Sequence, residues 1–199
     1  MKQIKKVLCV LLVIVTICSI NPVEAYAAGK LTATTAVKTI NNQISKSGNF
    51  SFECYRGKIK SSNLVFSYAI NTKSKIYYND STKMGLTKTY YYKNKMYWYN
   101  TASKKWFYQN VKKMPKTSYG KVPVKAKCTL MADKKFAGKR CTVVKVKDGD
   151  EETLYYLNKA NKQWIGMESD GYIVKVNLTK KISIPANVLK AKKKTYKLN

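Results

Sequence analysis

Histidine is absent from this 199-residue chain. That absence excludes every mechanism built on imidazole: Ser-His-Asp and Cys-His nucleophiles, HExxH zinc sites and His phosphorelays. Arginine is almost absent, with Arg56 and Arg140 standing against 37 lysines. Arginine is the usual bidentate reader of bases and phosphates, so a lysine surface attracts polyanions without reading them. Carboxylates are scarce as well, 10 against 39 basic residues, for a net charge of +29. No carboxylate pair for glycoside cleavage can be placed, because Glu53, Asp80, Asp133, Glu168 and Asp170 mostly fall in or near expected turns. GxSxG, GxGxxG and Walker A runs are missing. Ser118-Tyr-Gly-Lys121 matches SxxK, but it reads as a polar loop and no KTG follows. Asp148-Gly-Asp-Glu-Glu152 lacks the spacing of a calcium loop and suits a hairpin tip at Gly149. The expectation is a protein with no catalytic residues, no cofactor and no metal.

Long apolar runs are also lacking, except one at the start. Met1–Lys6 carries three lysines, Val7–Ile20 is apolar but for Thr16 and Ser19, and Ala25-Tyr26-Ala27 supplies small residues. These are the three parts of a secretory signal peptide. Cleavage is expected after Ala27, with Ala25 as the alternative. Leu8 and Ile17 precede Cys9 and Cys18, where a lipobox needs a small residue. The expected organisation is a signal peptide over 1–27 and a single β domain over 28–199 with a basic C-terminal tail, secreted or extracytoplasmic and associated with the cell envelope. The mature part keeps 36 basic and 9 acidic residues, a net charge of +27. Hydrophobic residues at 45% and aromatics at 12% are too many for a disordered chain.

Three cysteines remain after cleavage: Cys54, Cys128 and Cys141. No CxxC pair exists, which disfavours zinc. Secretion permits a disulfide. Cys128 and Cys141 flank the turn-like Asp133–Lys139 stretch, so a Cys128–Cys141 bridge across a hairpin is one expectation and three buried thiols the other.

Leu31, Ala33, Ala36, Val37, Ile40 and Ile44 recur at helical spacing before Gly48, which predicts one amphipathic helix over 31–46. After it the chain reads as about ten short strands with no βαβ alternation. These are 49–54, 64–70, 76–78, 89–92, 96–99, 105–108, a hairpin of 122–131 with 140–147, then 153–157, 163–167 and 172–178, with 182–185 ending the last strand region. Asn94-Lys95 and Asp170-Gly171 are read as turns. This order excludes a doubly wound nucleotide-binding fold. It predicts a mainly β protein, a curved antiparallel meander or half-open barrel with the N-terminal helix as a lid.

Between Tyr90 and Tyr108, nine of nineteen residues are aromatic. Adjacent strand residues point to opposite faces, so both faces of this region carry rings. A cavity lining for an apolar ligand, an ordinary core with an amphipathic surface, and a stacking platform for sugars or bases are all compatible with that pattern. If one face lines a cavity, strand alternation selects Tyr91, Trp98 and Phe107 as its ligand-binding residues.

The helix running into Phe50-Ser-Phe-Glu-Cys54 and the strand–turn–strand series Tyr90–Tyr108 resemble the outer-membrane lipoprotein carrier superfamily, LolA/LolB-like, in a Gram-positive-type secreted relative. Phe136–Val143, Leu154–Lys159 and the ending Ile184–Leu189 carry the same resemblance. It implies a strongly curved antiparallel sheet with helix at an apolar mouth, and a role in carrying acyl chains or lipoproteins or in sensing the envelope. The sequence therefore points to a secreted, non-enzymatic binding protein whose partner is a lipid or another amphiphile. The alternative is a cationic adhesion protein that holds teichoic acid, another anionic wall polymer or anionic lipid headgroups at a membrane surface through its lysines. Sequence-specific nucleic acid is not an expected partner.

Overall fold

A computed structural model of the chain describes residues 31–112, 122, 126–179 and 181–194. The expected signal peptide over 1–27 and the Ser118–Lys121 stretch lie outside the described residues. The elements, in chain order, are α1 (Ala33–Lys46), β1 (Asn49–Arg56), β2 (Leu64–Asn71), β3 (Ile76–Asp80), β4 (Lys88–Tyr92), β5 (Lys95–Asn100) and β6 (Lys105–Asn110). Then follow β7 (Lys127–Phe136), β8 (Lys139–Asp148), β9 (Glu151–Asn158), β10 (Trp164–Ser169), β11 (Tyr172–Asn177), α2 (Ala186–Leu189) and β12 (Lys192–Lys193). The protein is mainly β, and its strands belong to one open, curved sheet that does not close into a barrel. The chain divides into two compact units, one from residues up to Lys46 with Lys116–Ile173, the other from Ser47–Pro115 with Val174–Asn199.

In the first unit, α1 opens on a reciprocal threonine cap. Thr35 N–H donates to Thr32 Oγ1 (3.1 Å) and Thr32 N–H to Thr35 Oγ1 (2.8 Å), which satisfies a backbone donor the first turn would leave orphaned. Ala36, Val37 and Ile40 make its buried stripe. Two amide side chains then strap the helix down. Asn41 Nδ2 donates to the Val122 carbonyl (3.2 Å) while its Oδ1 accepts from Val122 N–H (2.8 Å). Gln43 Nε2 donates to the Lys162 carbonyl (2.9 Å) and its Oε1 accepts from Trp164 N–H (2.8 Å). The core of this unit is Cys141, Val143, Val144 and Val146 on β8, Tyr155, Tyr156 and Leu157 on β9, and Trp164, Ile165 and Met167 on β10. Tyr156 stacks on Phe136 at 4.4 Å between ring centroids and donates its hydroxyl to Glu168 (2.8 Å).

The hairpin here departs from expectation. Asp133–Lys139 is not a turn: β7 runs on to Phe136 with a bulge between Met131 and Lys134, and the turn is only Ala137-Gly138, at φ 47° and 78°. Because the turn sits at Ala137-Gly138, Cys141 lies opposite Lys134 and Cys128 opposite Val146. The expected Cys128–Cys141 bridge is accordingly not formed. Both are free thiols, as is Cys54, whose burial pushes its thiol up to about 12.

The second unit is an up-and-down meander of β1 to β6, each strand antiparallel to the next. The β4–β5 turn is Lys93-Asn94, both at positive φ (48° and 56°), one residue earlier than read from Asn94-Lys95. This is the primed geometry that matches strand twist. Ile182–Pro185 forms no strand. Pro185 instead opens the short α2, whose Val188 is fully buried. Two residues of the basic tail, Lys192 and Lys193, form β12 and pair parallel with Phe107 and Tyr108 of β6.

Candidate binding face and cleft

Register decides which side chains share a face, because residues directly opposite in a ladder point the same way. One row runs Phe50, Ile70, Tyr77, Tyr91, Met96 across β1 to β5. The adjoining row runs Phe52, Tyr68, Asn79, Thr89, Trp98, Phe107 across β1 to β6. Tyr91, Trp98 and Phe107 therefore lie on one face of the second unit, continuous with Phe50 and Phe52. Trp98 and Phe107 rings stand 6.1 Å apart. Their surroundings differ. Tyr91 and Trp98 are nearly sealed, 3% and 8% exposed, and the Tyr91 hydroxyl donates to Asn94 (2.9 Å). Phe107 is half-buried and keeps part of its ring at the surface.

The opposite face carries a run of half-buried rings: Tyr78 to Tyr90 (4.7 Å), Tyr90 to Trp106 (5.6 Å) and Trp106 to Tyr99 (5.3 Å). Asp80 sits at one end. Burial raises its carboxyl, but hydrogen bonds from Thr82 and from Lys88 (3.0 Å) outweigh that and hold it below the usual carboxylate range. Burial pushes the Tyr77 phenol up to about 12, and burial together with the Glu53 carboxylate does the same to Tyr55. A phenol that is neutral in the folded state and has a raised pKa stabilises the fold fully below about pH 10, and that contribution is lost as pH rises toward the folded value. We expect Tyr55 and Tyr77 to ionise about 2 pH units later in the native protein than in denaturant. Absorbance at the tyrosinate band checks this, and superimposable native and denatured titrations would refute the burial argument.

At the β5–β6 end of this unit, a cleft of about 380 Å³ opens between the strand pair and the α2–β12 segment. Tyr99, Trp106 and Phe107 form its aromatic walls, and four lysines, Lys104, Lys105, Lys190 and Lys192, line it with them. Asn187 and Ala191 complete the lining. None of those lysines has an ion-pair partner among the described residues. The five ion pairs found there use Lys88, Arg140, Lys145, Lys159 and Lys175. Sequence reasoning singled out Phe107 but missed the cleft. Its signal was the Lys104-Lys105-Trp106 run and the Lys192–Lys194 run, which only the β6–β12 pairing brings together.

Among the described residues no group of three Cys, Asp or Glu side chains could hold a metal ion, and no helix is long and apolar enough to cross a membrane. Asp148–Glu152 is a hairpin tip between β8 and β9, with Gly149 at φ 61°.

No protein-family model matches the chain, and no curated protein matches it. Several solved structures are similar to it. An uncharacterized conserved protein from Thermus thermophilus is 9% identical, with a TM-score of 0.43, over 81% of this chain and 97% of that one. A LolA superfamily protein from Nitrosomonas europaea is 7% identical, with a TM-score of 0.33, over 78% and 96%. A DUF1329 family protein from Desulfovibrio piger is 6% identical, with a TM-score of 0.29, over 73% and 91%. All three TM-scores lie below 0.5.

Proposed function

We propose that this protein is a secreted, non-enzymatic binding protein that takes a lipid or another amphiphile. The observation that carries this reading is the position of Phe107. It sits beside Trp98 at the β6 end of the ring-bearing face of the second unit and also lines the lysine-rich cleft, so one ring borders both an aromatic and a cationic surface. An amphiphile needs both surfaces side by side. Phe107 meets the ligand first, because Tyr91 and Trp98 are nearly sealed. The lack of histidine and the scarcity of carboxylates support a role without chemistry, and the lysine-rich start with its apolar run supports export.

The test is tryptophan fluorescence during titration with a fatty acid and with a lysolipid, on the wild type, Trp98→Phe and Phe107→Ala. A saturable change is expected, with affinity about tenfold weaker in Phe107→Ala, the effect of losing one anchoring aromatic. A flat titration with both probes removes the reading. The large excess of lysine over its few ion pairs favours a second reading, sequence-blind adhesion to polyanions. That reading expects binding that fades steeply with salt and is indifferent to Phe107→Ala.

A further inference from the structure

We infer that the cleft between β6 and the α2–β12 segment is a recognition site for a phosphate ester whose polyol or sugar part lies against Trp106. This deepens the amphiphile reading by naming the headgroup chemistry, and it rests on that reading only for the tail. Lys104, Lys105, Lys190 and Lys192 converge on one cleft from two separate chain segments. All four are exposed and free of carboxylate partners among the described residues. Like charges gathered without counter-charges repel one another, and a bound anion relieves that repulsion. Lysine acts on phosphate as a point charge with rotatable donors, so it can hold a phosphate ester without a bidentate fork. A phosphate monoester brings up to two negative charges to these four lysines and a phosphodiester brings one.

The walls define the rest of the ligand. Trp106 and Tyr99 stand 5.3 Å apart, tilted 56° to each other and half-buried, which gives an angled aromatic wall, apolar in its body and wet at its edge. Asn187 adds a side-chain amide able to donate and accept. At about 380 Å³ the cleft is at the small end for ligand sites, room for a headgroup rather than an acyl chain. The neighbouring Lys194 ammonium already lies 5.0 Å from the Phe107 ring centroid, so the cationic border continues past the cleft.

The experiment uses two probes on the intact protein: glycerol 1-phosphate in solution, and phosphatidylglycerol vesicles against phosphatidylcholine vesicles. Tryptophan fluorescence and vesicle co-sedimentation report binding. One variant carries Lys104→Gln, Lys105→Gln, Lys190→Gln and Lys192→Gln. A charge-matched control carries Lys127→Gln, Lys134→Gln, Lys135→Gln and Lys147→Gln, all exposed and on β7 or β8. The cleft variant is expected to lose about tenfold or more in affinity while the control stays within about twofold. Binding of glycerol 1-phosphate with that pattern identifies a soluble ester as sufficient. Binding of phosphatidylglycerol vesicles alone with that pattern identifies a membrane headgroup as the source. Equal losses in both variants, no loss in the cleft variant, or no binding by the wild type overturn the proposal. Glycerol 1-phosphate has no acyl chain, so failure of the fatty-acid titration leaves this result readable.

Discussion

Trp164→Ala should lower the unfolding free energy by about 3–5 kcal/mol, the range for truncating a buried tryptophan. Trp164 is 2% exposed at the start of β10, and its indole N–H donates to the Gly166 carbonyl (2.8 Å). Its ring centroid is 6.1 Å from that of Tyr155. The substitution removes the apolar volume, the indole hydrogen bond and the aromatic contact together, next to Leu157, directly opposite on β9. Equilibrium urea unfolding followed by far-UV circular dichroism measures the change. A loss under about 1 kcal/mol would mean that the site collapses freely around the void and is not packed as described.

The second large effect comes from polar straps. The double substitution Asn41→Ala with Gln43→Ala removes four hydrogen bonds between α1 and backbone groups of Val122, Lys162 and Trp164. Val122 is fully buried, so its N–H and carbonyl lose partners that water cannot readily replace. Leaving buried backbone groups unsatisfied costs about 1–3 kcal/mol each. The helix buries only Ala36, Val37 and Ile40, too little apolar area to hold it unaided, since most helix stability in proteins comes from packing. The expected result is early hydrogen exchange over 33–46 while β8 and β9 keep their protection. Unchanged exchange in the helix would show that the apolar stripe suffices.

What the sequence made legible follows the physics of its local signals. The helix was readable because its apolar stripe ends before Gly48, and the β4–β6 meander because rings alternate between short polar turns. The grouping of Tyr91, Trp98 and Phe107 on one face depended on register, which alternation within a strand leaves open and the Lys93-Asn94 turn fixes. The polar run Asp133-Lys134-Lys135 looked like a turn because β7 is an exposed strand that buries little. The turn at Ala137-Gly138 sets Cys128 out of line with Cys141. Ile182-Ser-Ile-Pro185 looked like a strand by alternation, yet Pro185 starts a helix. A two-residue parallel strand has no periodicity at all, so β12 was invisible, and with it the cleft that depends on β12 lying beside β6.

That small strand has a consequence for how the protein behaves in company. Parallel pairing of Lys192 and Lys193 with Phe107 and Tyr108, extended by Lys194 N–H to the Tyr108 carbonyl (2.9 Å), occupies hydrogen-bonding groups that β6 would otherwise present to other molecules. An uncovered, aromatic-rich edge is a template on which another copy can add its own strand, the first step toward aggregation. Two lysines guard it twice over, by filling the backbone positions and by setting positive charge where a like-charged neighbour would have to approach. Lys192 and Lys193 thereby work as gatekeepers of solubility, and losing them would put an aromatic-rich strand in reach of its copies.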